Sequence, residues 1–166
     1  MTPVSLKGEL LPKFTILLTN RFYQGKSGYY VVQPLRLVDG RHVLVNRGWL
    51  RADAGEPKVA TPAGEVAVQG LRQEHLPRTL EAGNSIAGNA RQNMTVEAFA
   101  AWSGLRLEPW VLEQHSALED GLVRDWPRAG RGAEMNESYA LQWYSLAALS
   151  LILFLVLNLK IEKRKS

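Results

Sequence analysis

The stretch from Ser138 to Leu159, SYALQWYSLAALSLILFLVLNL, contains no charged residue and lies between Glu137 and Lys160. As a helix it measures about 33 Å at ~1.5 Å per residue. That length matches a hydrocarbon core of about 30 Å, and a helix satisfies its own backbone polar groups there. Tyr139, Trp143 and Tyr144 gather at its start, where amphipathic rings favour the membrane interface. Lys160, Lys163, Arg164 and Lys165 follow its end. The competing reading is a buried core helix. The pattern predicts a transmembrane helix over 138–159 and a basic cytoplasmic tail over 160–166, because positive residues beside a span stay inside. Residues 1–137 then form an extracytoplasmic domain, periplasmic in a bacterium. The stretch comes last in the chain, so it is not a secretory signal peptide.

The net charge of +4 suggests nucleic acid until it is located. The tail from Lys160 holds four basic residues and Glu162, so +3 belongs to it and +1 to everything before. An evenly mixed domain has no electrostatic footprint for nucleic acid. With no cysteine, disulfides, thiol nucleophiles and cysteine metal sites are excluded.

Residues 1–75 read as strands. Val4 and Leu6 alternate with polar neighbours until Gly8 interrupts, and Phe14, Ile16 and Leu18 alternate through KFTILL. NRFYQGKSG reads as a loop marked by Gly25 and Gly28. YYVVQPLRL and HVLVNRGWL follow, joined at Asp39-Gly40, a hairpin signal because both residues tolerate positive φ. Pro34 removes a backbone donor, which predicts an edge strand or a bulge. Residues 52–65 read as a loop, EVAVQGLRQE (65–74) as a strand, and 75–93 as an exposed excursion. Thr95 is placed to cap a short helix, with Glu97 at its positive end, Val96, Phe99, Ala100 and Trp102 on its apolar side and Gly104 as its stop. PWVLEQHS (109–116) reads as the last strand and 117–137 as a loop. The expected fold is α+β and mostly antiparallel: a barrel-like sheet with one or two short helices, then the C-terminal transmembrane helix.

No catalytic residue is assigned. His42, His75 and His115 show no spacing that predicts convergence on a metal. Ser27 is a loop serine rather than a nucleophile elbow. Glu119 and Asp120, adjacent on a loop, are expected to be solvated. An enzymatic function is not expected.

NRFYQGKSGYYVVQPLRLVDGRHVLVNRGWL, followed by EVAVQGLR, PWVLE and YALQWYSLA, resembles the surfeit-locus-one family of cytochrome c oxidase assembly factors. The similarity runs from about Val4 to the end of the apolar stretch. Its most specific parts are Gly28-Tyr29, Pro34-Leu35 and Val45-Asn46-Arg47-Gly48-Trp49. The resemblance implies a globular domain outside the cytoplasm, held in the bacterial inner membrane by two transmembrane helices. It implies the oxidase catalytic subunit and other assembly factors as partners, with haem a handled transiently. Two departures stand out. The family has a transmembrane helix before the β domain, whereas Met1 here opens onto Thr2-Pro3-Val4; an in-frame apolar segment upstream of Met1 is expected. The family also commonly has a histidine, linked to haem in bacterial members, three residues before the tyrosine matching Tyr139; here it is Asn136.

Two groups of candidate binding residues follow. On a helix Asn136, Tyr139 and Trp143 share one face, as interfacial anchors or as a haem-proximal or partner-docking site. Gln142 beside them is able to bond across helices. Arg47 and Trp49 are read either as a strand end, with Trp49 in the core and Arg47 bonded to a loop, or as a partner-recognition surface. The function implied is oxidase biogenesis at the inner membrane through haem a insertion or stabilisation of the catalytic subunit. The alternative is a membrane-anchored scaffold that binds protein and not haem.

Overall fold

The six alternating runs become strands, and a short seventh forms within 75–93, the stretch read as an exposed excursion, in a computed structural model, which describes residues 2–53, 57–79, 88–126 and 142–155. In chain order they are β1 (Thr2–Leu10), β2 (Ile16–Tyr23), β3 (Lys26–Leu37), β4 (His42–Arg51), β5 (Glu65–Gln73), β6 (Ala90–Arg91) and β7 (Leu107–Gln114). One helix, α1 (Val96–Ser103), precedes β7. Residues up to Asp125 form one compact unit, and those from Trp126 onward a second.

The strands pair in the order β1-β5-β7-β4-β3-β2-β6, and β1 also pairs with β3. The second pairing closes β1, β5, β7, β4 and β3 into a ring, leaving β2 and β6 as an extension from β3. Gly8 lies where β1 meets both partners, opposite Val66 of β5 and Leu37 of β3. It does not interrupt the strand as expected. A side chain there would strike the Arg36 carbonyl at 2.1 Å, so the close approach needs glycine.

The sheet is mixed, which corrects the antiparallel expectation. β4 and β7 run parallel, as do β2 and β6. Apolar alternation has the same period in both orientations, so only the long crossover between β4 and β7 sets the direction. The expected C-terminal transmembrane helix is corrected as well. Among the described residues no helix is long and apolar enough to cross a membrane. Of that region, the described residues 142–155 are helical.

Three local expectations also change. NRFYQGKSG is strand almost throughout, with β2 and β3 joined at Gln24-Gly25, both at positive φ (48° and 74°). That is the twist a two-residue hairpin requires. At Asp39-Gly40 only Gly40 is left-handed; Asp39 holds the turn through its carboxylate, which accepts from Arg41 N at 3.0 Å and Arg41 Nε at 2.9 Å. Pro34 sits on an interior strand. Its carbonyl accepts from Leu11 N, so its missing donor faces the gap where β2 leaves β3 at Val32 and β1 joins at Leu35.

Inside the ring Leu10, Leu35, Val43, Val45, Val68 and Leu112 form the core. Their strand neighbours Leu44 and Val111 point to the other face and are equally buried, and α1, with Phe99 buried, contacts β7. α1 is capped as expected: Thr95 Oγ1 accepts from Ala98 N at 3.1 Å, and Gly104 ends the helix at φ 71°. Its N-terminus also holds the Glu97 carboxyl below the ordinary range, through backbone and Thr95 hydrogen bonds. Thr95→Ala is expected to cost about 1 kcal/mol. A change in the urea midpoint too small to resolve would show that packing alone fixes α1.

Candidate functional site

Around Arg47 a local irregularity decides where side chains go. Val31 pairs with Gly48 but Val32 pairs with Asn46, so Arg47 is the extra residue of a β-bulge. Gly48 takes φ 145°, and a side chain on it would press on the Val123 carbonyl at 2.8 Å. Gln33 pairs with the inward-facing Val45, so its amide enters the ring. Arg47, two residues beyond Val45 on the same strand, points the same way and meets it.

Arg47 is fully buried and its guanidinium is held on several sides. Nη1 donates to Gln33 Oε1 at 2.8 Å and Thr61 Oγ1 at 3.2 Å; Nη2 donates to the Ala60 carbonyl at 3.1 Å and Asp120 Oδ2 at 2.5 Å. Gln33 Nε2 continues the net to Thr15 Oγ1 at 2.7 Å and Thr61 Oγ1 at 3.0 Å. Asp120, its side chain 0 % exposed, also accepts from Arg124 Nη2 at 2.5 Å and Leu122 N at 3.2 Å. This corrects the expectation that Asp120 is solvated. The carboxylate lies between two guanidinium groups, a geometry that repays desolvation only when every partner is present. Burial pushes the Arg47 pKa down, and Asp120 opposes that shift.

The 117–126 segment fastens this cluster. Trp49 N donates to Val123 O at 2.7 Å and Val123 N returns a bond to Trp49 O at 2.9 Å. Leu122 packs on Leu17 and Val31.

A second cluster lies on the face of Tyr30 and Trp49. A bulge between Leu18 and Arg21, with Asn20 at φ 57°, turns Arg21 into the protein. Arg21 donates to Thr79 Oγ1 (2.8 Å), the Pro77 carbonyl (2.8 Å) and the Gln92 carbonyl (3.2 Å), and lies 5.6 Å from the Tyr30 ring centroid. Described residues at both ends of 75–93, read as an exposed excursion, are therefore tied to the sheet. Trp49 Nε1 donates to the Arg21 carbonyl at 3.1 Å. Burial raises the Tyr30 pKa; Arg21 counters it and Glu113 adds to it.

The candidate residues fall in different places. Arg47 and Trp49 are both buried, joined through the same segment, and present no open surface. Gln142 and Trp143 are exposed on the 142–155 helix, Trp143 at 71 %. Asn136 and Tyr139 lie outside the described residues. Gln33, Thr61 and Arg21 were not singled out from sequence, and Asp120 was named there only as a solvated loop carboxylate. For Gln33 a signal existed: it is a polar residue at an inward position between Val31 and Leu35. For Asp120 nothing local distinguishes it from its exposed neighbour Glu119.

Taken together these features define a small β-ring domain whose main polar cluster is sealed inside and holds the fold. The chain belongs to the SURF1 family, whose sequence model matches residues 1–148. A SURF1-like protein of Dictyostelium discoideum is 44 % identical over 55 residues, covering 33 % of this chain and 19 % of its own length. A SURF1-like protein of Rickettsia felis is 24 % identical over 164 residues, covering 92 % of this chain and 71 % of its own.

Proposed function

We propose that this protein is a non-enzymatic assembly factor for cytochrome c oxidase, acting at the bacterial inner membrane with its β domain on the periplasmic side. In this reading it steadies the immature catalytic subunit, or assists haem a insertion into it. The observation that carries the proposal is the family match across residues 1–148. The residues that bear the resemblance also meet in space: Gly28 lies against the Trp49 ring, and the Arg47 bulge binds Gln33 next to Pro34. Deleting the gene is expected to lower oxidase activity and the haem a absorbance of membranes, and the intact gene should restore both. Unchanged oxidase in the deletion strain refutes the proposal.

A scaffold that holds protein without ligating haem is the second reading, and Asn136 favours it. An amide is a poor ligand for haem iron compared with imidazole, so this position does not fit direct ligation. Asn136→His is expected to increase haem recovered with the protein from haem-a-producing cells if the position lies near the iron. Unchanged haem content in a folded variant favours the scaffold.

A further inference from the structure

Asn46 stands beside the Arg47 bulge but faces the other way. It pairs in register with Glu113 of β7; Val111 lies two residues before Glu113, and Gln73 of β5 pairs with Val111. These four side chains share one face of the sheet. With His75 and Pro77 they line a cavity of about 200 Å³. At ~30 Å³ per water it has room for about six.

The amide of Asn46 is buried there, the residue being 1 % exposed. Neither its Nδ2 nor its Oδ1 has a hydrogen-bond partner among the described residues. A buried polar group left unmatched is costly, and a native structure that keeps one needs a reason. Glu113 supplies the second observation. Its Oε1 lies 3.0 Å from His115 Nε2, and its side chain lines the same cavity as Asn46. His75 is exposed and Gln73 half-buried, so they form the solvent side of the cavity.

We propose that this cavity binds a primary carboxamide, or a group with the same edge of one carbonyl and two N–H donors. Asn46 has both a donor and an acceptor to satisfy, so a lone cation or a lone anion matches only half of it. A carboxamide carbonyl accepts from Asn46 Nδ2 while one of its N–H groups donates to Asn46 Oδ1. The second N–H points to the Glu113 carboxylate, a charge-assisted bond. Pro77 and Val111 cover the hydrocarbon part. The ligand enters past Gln73 and His75 and uses no residue of the Arg47–Asp120 cluster. The group comes either from a small molecule or from an Asn or Gln side chain of a partner protein.

The test is titration of the full chain with acetamide, following the Asn46 side-chain amide resonance by NMR. Saturable shifts at Asn46 are expected. N-methylacetamide should bind about tenfold more weakly or worse, because its trans amide cannot present N–H and C=O on one edge and it lacks the second N–H. Asn46→Leu removes both unmatched atoms and should fold, yet lose acetamide binding about tenfold or more. Glu113→Gln gives an independent variant with the same direction of effect. A capped Gly-Asn-Gly peptide separates the sources: binding at least as tight as acetamide assigns the group to a partner side chain, and binding of acetamide alone assigns it to a small molecule. No shift with either probe, or equal binding by N-methylacetamide or by Asn46→Leu, overturns the proposal and leaves the cavity to water.

Discussion

Asp120→Ala is expected to destabilise the domain by about 3–5 kcal/mol, the cost of leaving a buried charge without its partner. Arg47 is sealed inside the ring, and its remaining partners after this change are neutral oxygens of Gln33, Thr61 and Ala60. Arg124 loses the same carboxylate. Domains are commonly stable by only about 5–15 kcal/mol, so the variant should unfold at much lower urea. Asp120→Asn keeps the shape and part of the hydrogen bonding, and should lie between the two. Replacing Arg47, Asp120 and Arg124 together by Met, Leu and Met should recover much of the loss, since an apolar trio needs no compensation. If Asp120→Ala lowers the unfolding free energy by less than about 0.5 kcal/mol, the range of ordinary surface changes, the cluster does not hold the fold.

Gly28→Ala should cost about 3 kcal/mol, at the upper end of overpacking effects. A methyl group there would lie 2.3 Å from Trp49 Cε2 and 2.3 Å from the Leu50 carbonyl. The carbonyl belongs to the ladder and cannot rotate away; the ring is held by its bond to Arg21 O and by Tyr23, whose centroid is 5.4 Å away. Trp49→Ala alone should cost about 3–5 kcal/mol as a large buried deletion. In the double variant the methyl group occupies part of the vacated space, so the two costs should fall short of their sum by at least about 1 kcal/mol. Strict additivity would show that the Leu50 carbonyl, not the ring, makes glycine necessary.

The strands were legible because alternation with a period of two sets each run and its approximate bounds: Ile16 to Leu18, Tyr29 to Leu37 and His42 to Leu50 all lie in the sheet, while Phe14 ends a short 3-10 turn before it. Thr95 and Gly104 marked both ends of α1 because capping is local chemistry. Strand direction was not legible, since His42–Asn46 beside Leu107–Glu113 has the same pattern in either orientation. The polar cluster was hidden for another reason. Arg47 and Asp120 are 73 residues apart, and neither bulge nor burial leaves a mark at Asp120. Asn46 was visible only as part of a resemblance motif; alternation after Val45 places it on the opposite face, but its neighbours there come from β5 and β7, distant in sequence.

The double pairing of β1 also has a consequence in time. Residues 2–10 are synthesised first, yet their partners lie in residues 35–37 and 65–72, and the ring lacks its β4–β5 connection until β7 ends at Gln114. The β2–β3 and β3–β4 hairpins are local and can form early, because short loops close quickly. Until Gln114 is present, β4 and β5 each carry an unpaired edge, the kind of surface on which other chains add as strands. The domain therefore has an interval of vulnerability as long as the synthesis of its first 114 residues, and a factor that protects it must act before β7 arrives rather than after.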